Sequence, residues 1–160
     1  MKYEESKYAK KAGENFRAGY NCSQSVVLAF EDLYDIDRET ALKVSSSFGG
    51  GMGRLREVCG GVSGMLIVAG LLYGYHEPRD YEGKSEHYAR VQELAKAYEA
   101  ENGSIVCREL LGLTQKRDEP KPEQRTEEYY KKRPCEQLVK MAAGIMEAYI
   151  KEHPLEKSNK

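Results

Sequence analysis

The sequence predicts an all-α fold, a single-domain bundle of about six helices around a central glycine-rich apolar helix. Apolar residues recur at helical spacing through segments rich in Ala, Leu, Glu, Lys and Arg, which favour helix. No stretch alternates apolar and polar residues for long enough to predict a strand. With 160 residues, the chain is long enough to bury a substantial core, so residues 1–160 are expected to form one domain.

The first three helices are predicted from apolar spacing and from residues that favour helix starts. Residues 3–18 carry an apolar stripe with Lys and Glu between its members, which is typical of an amphipathic helix. Asn21 is a favourable N-cap for a second helix over 22–34. Asp37 can cap a third helix over 38–48 in the same way.

A stretch without charge, from Val58 to Tyr75, predicts the central helix. A glycine-rich loop over 49–53 precedes it and breaks the chain. The stretch has 18 residues, which is near the lower limit for a membrane span. It also contains five glycines and is flanked by charged residues, so a core helix buried on all sides is the better interpretation.

The second half of the chain is predicted to be helical around one polar, proline-containing loop. Pro134 fits the first position of the last helix, since proline has no N–H to leave unpaired there. The predicted segments are helices over 81–101, 105–111 and from 134 onward, a helical turn over 126–132, a mobile loop over 114–125 and a disordered tail over 154–160.

Composition and charge exclude several classes of function. The net charge of -1 gives no electrostatic basis for binding nucleic acid or an anionic membrane. The charged segment over 1–6 lacks the apolar region of a secretory signal, so we expect a cytoplasmic protein with reduced thiols. A Tyr- and Leu-rich helix face could support a homodimer.

Four isolated cysteines are the most informative feature of the sequence. No C-x-x-C pair is present, which excludes a thioredoxin motif and a zinc knuckle. Each cysteine falls at the start of a predicted helix, where unpaired N–H groups and partial positive charge stabilise a thiolate. The alternative is that each is a small apolar residue that packs well in a core. The four candidate catalytic residues are Cys22, Cys59, Cys107 and Cys135.

Glycines cluster after Cys59 and could clear space for a partner sulfur, a metal or a substrate. The candidate substrate-binding residues are Gly60, Gly61 and Gly64. Gly70 and Gly74 lie further along the helix, and close helix packing is the preferred interpretation for them. The loop over 49–53 could give access to Cys59, form a plain turn, or bind a phosphate through its amides.

The cysteine pattern and the segment Cys-Gly-Gly-Val-Ser-Gly, residues 59–64, resemble the C_GCAxxG_C_C family. This is a family of small proteins named for four cysteines and a Cys-Gly-Ala-x-x-Gly motif, and redox activity is attributed to it. The resemblance covers about residues 5–150 and matches the four cysteines in order. Gly60 and Gly64 match the motif glycines, whereas Gly61 stands where the pattern has Ala. The resemblance implies a redox role for the four thiols.

The first functional hypothesis is thiol–disulfide redox chemistry, as in a thiol–disulfide oxidoreductase without a cofactor. Cys59 is expected to attack, because its glycine surroundings favour access, and Cys22 is expected to be its partner. Cys107 and Cys135 would form a second pair or a relay. The partner would be a redox protein or a small-molecule thiol or disulfide.

The second hypothesis is a metal site in which the same four cysteines hold zinc or an iron–sulfur cluster. The protein would then bind metal or transfer electrons and would have no catalytic activity of its own. A third hypothesis is an all-α interaction protein whose thiols have no chemical role.

Overall fold

The computed structural model describes residues 3–114 and 117–156. In these residues the regular structure is helical, and the one extended pairing is an isolated bridge between Val58 and Val106. The all-α prediction is therefore confirmed. The helices are α1 (Lys7–Arg17), α2 (Cys22–Ala29), α3 (Arg38–Ser45), α4 (Gly49–Met52), α5 (Gly60–Tyr73), α6 (Tyr81–Asn102), α7 (Cys107–Leu110), α8 (Glu127–Lys132) and α9 (Cys135–Glu152), with short 3-10 segments at Tyr3–Glu5 and Ser46–Phe48.

Capping side chains fix several helix starts near the predicted positions. The side chain of Asn21 accepts from the N–H of Gln24, and the Gln24 side chain accepts from the N–H of Asn21, which completes a capping box at α2. Asp37 accepts from the N–H of Thr40 at the start of α3. Each such cap stabilises a helix by about 1 kcal/mol, and here the α2 cap also fixes the backbone that presents Cys22.

The helix at the centre of the packing is α9, which contacts α1, α2, α5 and α6. The prediction that the glycine-rich helix α5 is central and buried on all sides is not confirmed. Its first half packs against α2 and α9, but Leu71 is 39% exposed and Gly70 has no neighbour within 4 Å of its Cβ position. Because this run is almost entirely apolar, with Ser63 as its polar exception, the pattern contains no polar face that would indicate its exposed side.

The glycine turn, residues 49–53, is an ordered left-handed turn. Residues 50–54 all have positive φ, between 61° and 70°. A left-handed turn costs about 1–2 kcal/mol per non-glycine residue, which explains the Gly-Gly-Gly-Met-Gly sequence. A Cβ on Gly51 would lie 2.6 Å from the Cβ of Cys107, so glycine also permits α7 to approach.

The polar loop that the sequence predicts to be mobile is bound to the glycine turn. The backbone N–H of Asp118 donates to the carbonyl of Arg54 at 3.0 Å, and Arg54 Nε donates to the carbonyl of Glu119 at 2.6 Å. The Asp118 carboxylate accepts from Arg56 Nε at 2.7 Å. Of the predicted tail, residues 157–160 lie outside the described residues.

Candidate functional site

All four cysteines line a single cavity of about 240 Å³, here called the thiol cavity. Its walls are the starts of α2, α5, α7 and α9, the glycine turn and the loop before α8. The thiols are free, and three of them are buried, whereas Cys22 is half-buried. The structure thus brings together side chains that are separated by up to 113 positions in the sequence.

Each cysteine lies at a helix start, as the sequence predicts. Cys22, Cys107 and Cys135 are the first residues of α2, α7 and α9, and Cys59 is the residue just before α5. Four helix N-termini therefore converge on the thiol cavity, and their unpaired N–H groups favour negative charge in it.

The thiols of Cys22 and Cys135 both line the thiol cavity, and their interaction shifts the two pKa values in opposite directions. The Cys22 thiol stabilises the Cys135 thiolate and lowers the pKa of Cys135 to about 7, against the opposing effect of burial. Arg133, Arg56 and Arg125 add favourable charge. The same interaction, together with burial, raises the pKa of Cys22 well above its ordinary value. Within the pair, the thiolate is therefore favoured on Cys135 over Cys22.

Cys59 has different surroundings from those that the sequence predicts for an attacking thiol. Burial raises its pKa to about 11, and only 5% of the residue is exposed. The Tyr98 hydroxyl, 3.4 Å from the sulfur, and the amides of Gly61 and Val62 oppose that rise, although no capping hydrogen bond of ordinary geometry forms. The electrostatics thus favour Cys135 over Cys59 as the thiolate.

Cys107 is paired with a buried arginine. Arg56 Nη1 donates to the Cys107 sulfur at 3.5 Å, while Arg56 Nε donates to Asp118 at 2.7 Å. Burial still raises the pKa of Cys107, because it outweighs the Arg56 charge. Arg56 is close to Cys59 in the sequence, yet its guanidinium donates a hydrogen bond to Cys107.

The glycines of α5 position helices around the thiol cavity. A Cβ on Gly60 would lie 2.8 Å from the Cβ of Cys22, and one on Gly64 would lie 2.7 Å from the carbonyl of Ser23. These two glycines therefore permit α2 to pack closely and place Cys22 beside α5. A Cβ on Gly61 would make only ordinary contacts, the nearest at 3.5 Å.

Close helix packing, predicted for Gly70 and Gly74, is not what these residues do. Gly70 faces open space, and a Cβ on Gly74 would meet the carbonyl oxygen of Gly70 within the same helix end. Gly60 and Gly64 have the same spacing of four residues as Gly70 and Gly74, but only Gly60 and Gly64 lie against another helix.

Several cavity residues carry no sequence signal that identifies them. Arg125 lies in the proline-containing loop, and Arg54 directly follows the glycine turn, so each is distant from three of the four cysteines in sequence. Outside the cavity lining, Tyr98 of α6 is a fully buried residue whose hydroxyl lies 3.4 Å from the Cys59 sulfur. Long-range folding, and not local pattern, assembles this part of the site.

The four cysteines share a cavity without forming a metal site in this geometry. Across residues 3–114 and 117–156, no three side chains of His, Cys, Asp or Glu converge closely enough to hold a metal ion. Cys22 and Cys135 interact with each other, whereas Cys107 accepts a hydrogen bond from Arg56. The residues in their present positions therefore do not fit a four-thiolate zinc or iron–sulfur centre.

The described part of the chain contains no helix with both the length and the apolar character needed to cross a membrane.

No curated protein and no solved structure matches the chain. A family model described as "Putative redox-active protein (C_GCAxxG_C_C)" matches residues 20–149, a range that includes all four cysteines and the glycines of α5. Because this match extends over most of the sequence, the chain belongs to the C_GCAxxG_C_C family.

Proposed function

We propose that the protein is a thiol–disulfide oxidoreductase in which Cys135 attacks and Cys22 resolves. The observation that supports this most directly is the placement of both thiols in one cavity, where their interaction lowers the pKa of Cys135 to about 7. A thiolate is the attacking species in disulfide exchange, and an attacking thiol works best when its pKa is near the ambient pH.

The reaction proceeds in two exchange steps. The Cys135 thiolate attacks one sulfur of a substrate disulfide, forms a mixed disulfide and releases the other half as a thiolate, which takes a proton from solvent. Cys22 then loses its proton to solvent and attacks the Cys135 sulfur. The Cys22–Cys135 disulfide forms, the second half leaves as a thiol, and the substrate has gained two electrons. A cellular dithiol or small thiol returns the protein to its reduced form.

The remaining two thiols are proposed as a second redox pair. Cys59 and Cys107 line the same cavity, so a disulfide formed at Cys22 and Cys135 could pass to them by exchange. Such transfer would free the first pair for another substrate, and the four thiols would supply four electrons in forming two disulfides. Because the pKa values of Cys59 and Cys107 are raised, these thiols are expected to react later than Cys135 and to accept the disulfide from the first pair.

The test is to oxidise the reduced protein with one equivalent of a small disulfide and map the product by non-reducing peptide mass spectrometry. The expected product is the Cys22–Cys135 disulfide. Cys135→Ser should abolish the rapid phase, Cys22→Ser should stop the reaction at the mixed disulfide, and Cys59→Ser should leave the rapid phase unchanged. A rapid phase that survives in Cys135→Ser would refute the assignment.

Metal analysis of the same sample tests the metal-binding alternative. One stoichiometric metal ion with four protected thiols would replace the oxidoreductase proposal by a metal-binding one. We further propose a reducing, cytoplasmic setting, since the attacking pair acts as a dithiol. Free-thiol counts of protein isolated with rapid alkylation test this point directly.

A further inference from the structure

The walls of the thiol cavity are strongly cationic. The side chains of Arg54, Arg56, Arg125 and Arg133 line it. Glu123 is the one carboxylate among its described lining residues. The chain as a whole has a net charge of -1, so the positive charge around this small cavity is a local concentration.

Carboxylates balance only part of this charge. Arg56 and Arg54 share Asp118, at 2.7 Å and 3.9 Å, and Arg133 pairs with Glu123 at 2.5 Å. Four guanidinium groups therefore face two carboxylates and the Cys135 thiolate, so the cavity still keeps a net positive charge that favours an anion.

Arg125 contributes the charge that is least balanced. Its Nη atoms donate to the backbone carbonyls of Phe16 at 2.8 Å and Tyr20 at 3.0 Å, and its guanidinium stacks on the Phe16 ring at 4.0 Å. These partners hold the side chain in place but are neutral. No carboxylate pairs with Arg125 among the residues that the structure describes. A fixed guanidinium of this kind is suited to binding a carboxylate.

Access to the attacking sulfur limits the size of the substrate. Only 8% of Cys135 is exposed, and its sulfur is reached through a cavity of about 240 Å³. A disulfide on the surface of a folded protein cannot approach a sulfur at this depth, whereas a flexible low-molecular-weight disulfide can enter.

We propose that the thiol cavity binds a low-molecular-weight disulfide that carries carboxylate groups. This inference rests on the proposed function, since it names the substrate class for the Cys135–Cys22 pair. The carboxylates bind to Arg125 and Arg54, and the disulfide bond lies toward Cys135. The exchange steps are those given above, and the released product is an acidic small thiol.

The test compares two disulfide probes that differ in charge. Dithiobis(nitrobenzoate) carries two carboxylates, and dithiodipyridine is uncharged near neutral pH. The measured quantity is the ratio of their second-order rate constants with the reduced protein. Because removal of an arginine also changes the Cys135 thiolate fraction, which affects both probes, the ratio isolates the effect of substrate charge. We expect Arg125→Gln to lower the ratio about tenfold, as for loss of one close charge interaction in a partly buried site.

Matched variants make the result specific. Arg125→Lys should retain most of the ratio, because the charge is kept. Arg79→Gln, an exposed arginine in the loop before α6, should leave the ratio unchanged. Arg54→Gln provides a second measurement, and it decides the question if Arg125→Gln does not fold. The ratio in the wild-type protein should also fall as ionic strength rises.

The outcomes separate the substrate class from the proposed function. An unchanged ratio in the folded Arg125→Gln and Arg54→Gln variants would refute binding of an anionic disulfide and leave the Cys135–Cys22 chemistry standing. Unchanged reaction of Cys135→Ser with uncharged dithiodipyridine would instead refute the proposed function. The substrate proposal would fall with it, since that proposal assigns the anion to exchange at Cys135.

Discussion

At the scale of single residues, Cys22 and Cys135 show how surroundings separate two identical side chains. The interaction between them favours the thiolate on Cys135 and the protonated thiol on Cys22. The nearby arginines then favour the charged member of the pair. This is the division of roles that an attacking and a resolving thiol require, and it arises from geometry that neighbouring residues in sequence do not specify.

The low pKa of Cys135 predicts a pH-dependent thiolate signal. In the folded wild-type protein, the ultraviolet absorbance of thiolate should rise with a midpoint near the pKa of Cys135, about 7. Cys135→Ser should lose this transition. Cys22→Ala should move it to higher pH, because the Cys22 thiol is the largest stabilising contribution to the thiolate. A transition near neutral pH that persists in Cys135→Ser would contradict the assignment.

The same pKa shift predicts how stability depends on pH. An unfolded cysteine has a pKa of about 8.5. Between pH ~7 and ~8.5, Cys135 therefore binds fewer protons in the folded state than in the unfolded state. The stability that Cys135 contributes is therefore fully present above pH ~8.5 and is lost as pH falls through ~7. The free energy of unfolding of wild type relative to Cys135→Ser should grow by about 1–2 kcal/mol from pH ~6 to ~8.5. Urea denaturation of both proteins at several pH values measures it, and a difference that shrinks over this range would contradict the sign.

At the scale of elements, the glycines of α5 act through their neighbours. Gly60 lies against Cys22 of α2, whereas Gly61 faces Leu138 and Ala142 of α9 at ordinary contact distances. Two adjacent glycines in one helix therefore have opposite tolerance for a methyl group. The Ala that the family pattern has at the position of Gly61 fits the space that this structure provides.

We predict that Gly61→Ala stabilises the protein by about 0.5–1 kcal/mol, because alanine favours helix and its Cβ has room. Gly60→Ala should destabilise it by about 1–3 kcal/mol, since its Cβ would lie 2.8 Å from both the Cys22 Cβ and the carbonyl of Phe48. Urea unfolding of the two variants measures both effects. Gly70→Ala, which faces open space, is the matched control for helix propensity alone. Equal effects of Gly60→Ala and Gly61→Ala would contradict the close approach of α2.

At the scale of the whole molecule, the sequence predicts the helices better than it predicts how they meet. Caps such as Asn21 and Asp37 act locally, so helix starts can be predicted from neighbouring residues. The pairing of Cys22 with Cys135 cannot be predicted in this way, because periodicity indicates which face of a helix is buried but not which other helix end that face approaches. The exposed side of α5 cannot be predicted either, because its sequence is almost entirely apolar. Arg125 enters the site through a loop without periodicity, so only the folded chain reveals it.

Asp118 connects distant parts of the molecule around the thiol cavity. It pairs with Arg56, whose side chain is only 6% exposed, and it joins the loop after α7 to the glycine turn. Loss of its charge would leave a buried guanidinium without a carboxylate partner, and breaking such pairs is costly. Asp118→Asn should therefore lower the free energy of unfolding by about 2–3 kcal/mol. Urea denaturation measures this, with exposed Asp35→Asn as the control for loss of a surface carboxylate.

The same variant should change the chemistry of Cys107 in the folded state. Without Asp118 the Arg56 guanidinium is held less firmly, and the loop over 117–125 loses an attachment to the cavity rim. Alkylation of Cys107, measured by mass spectrometry under native conditions, should then become faster than in wild type, whereas Asp35→Asn should leave it unchanged. An Asp118→Asn protein with wild-type stability and a Cys107 that reacts no faster would show that the loop is held by other contacts. The combined result therefore tests whether one carboxylate couples the closure of the cavity to the stability of the fold.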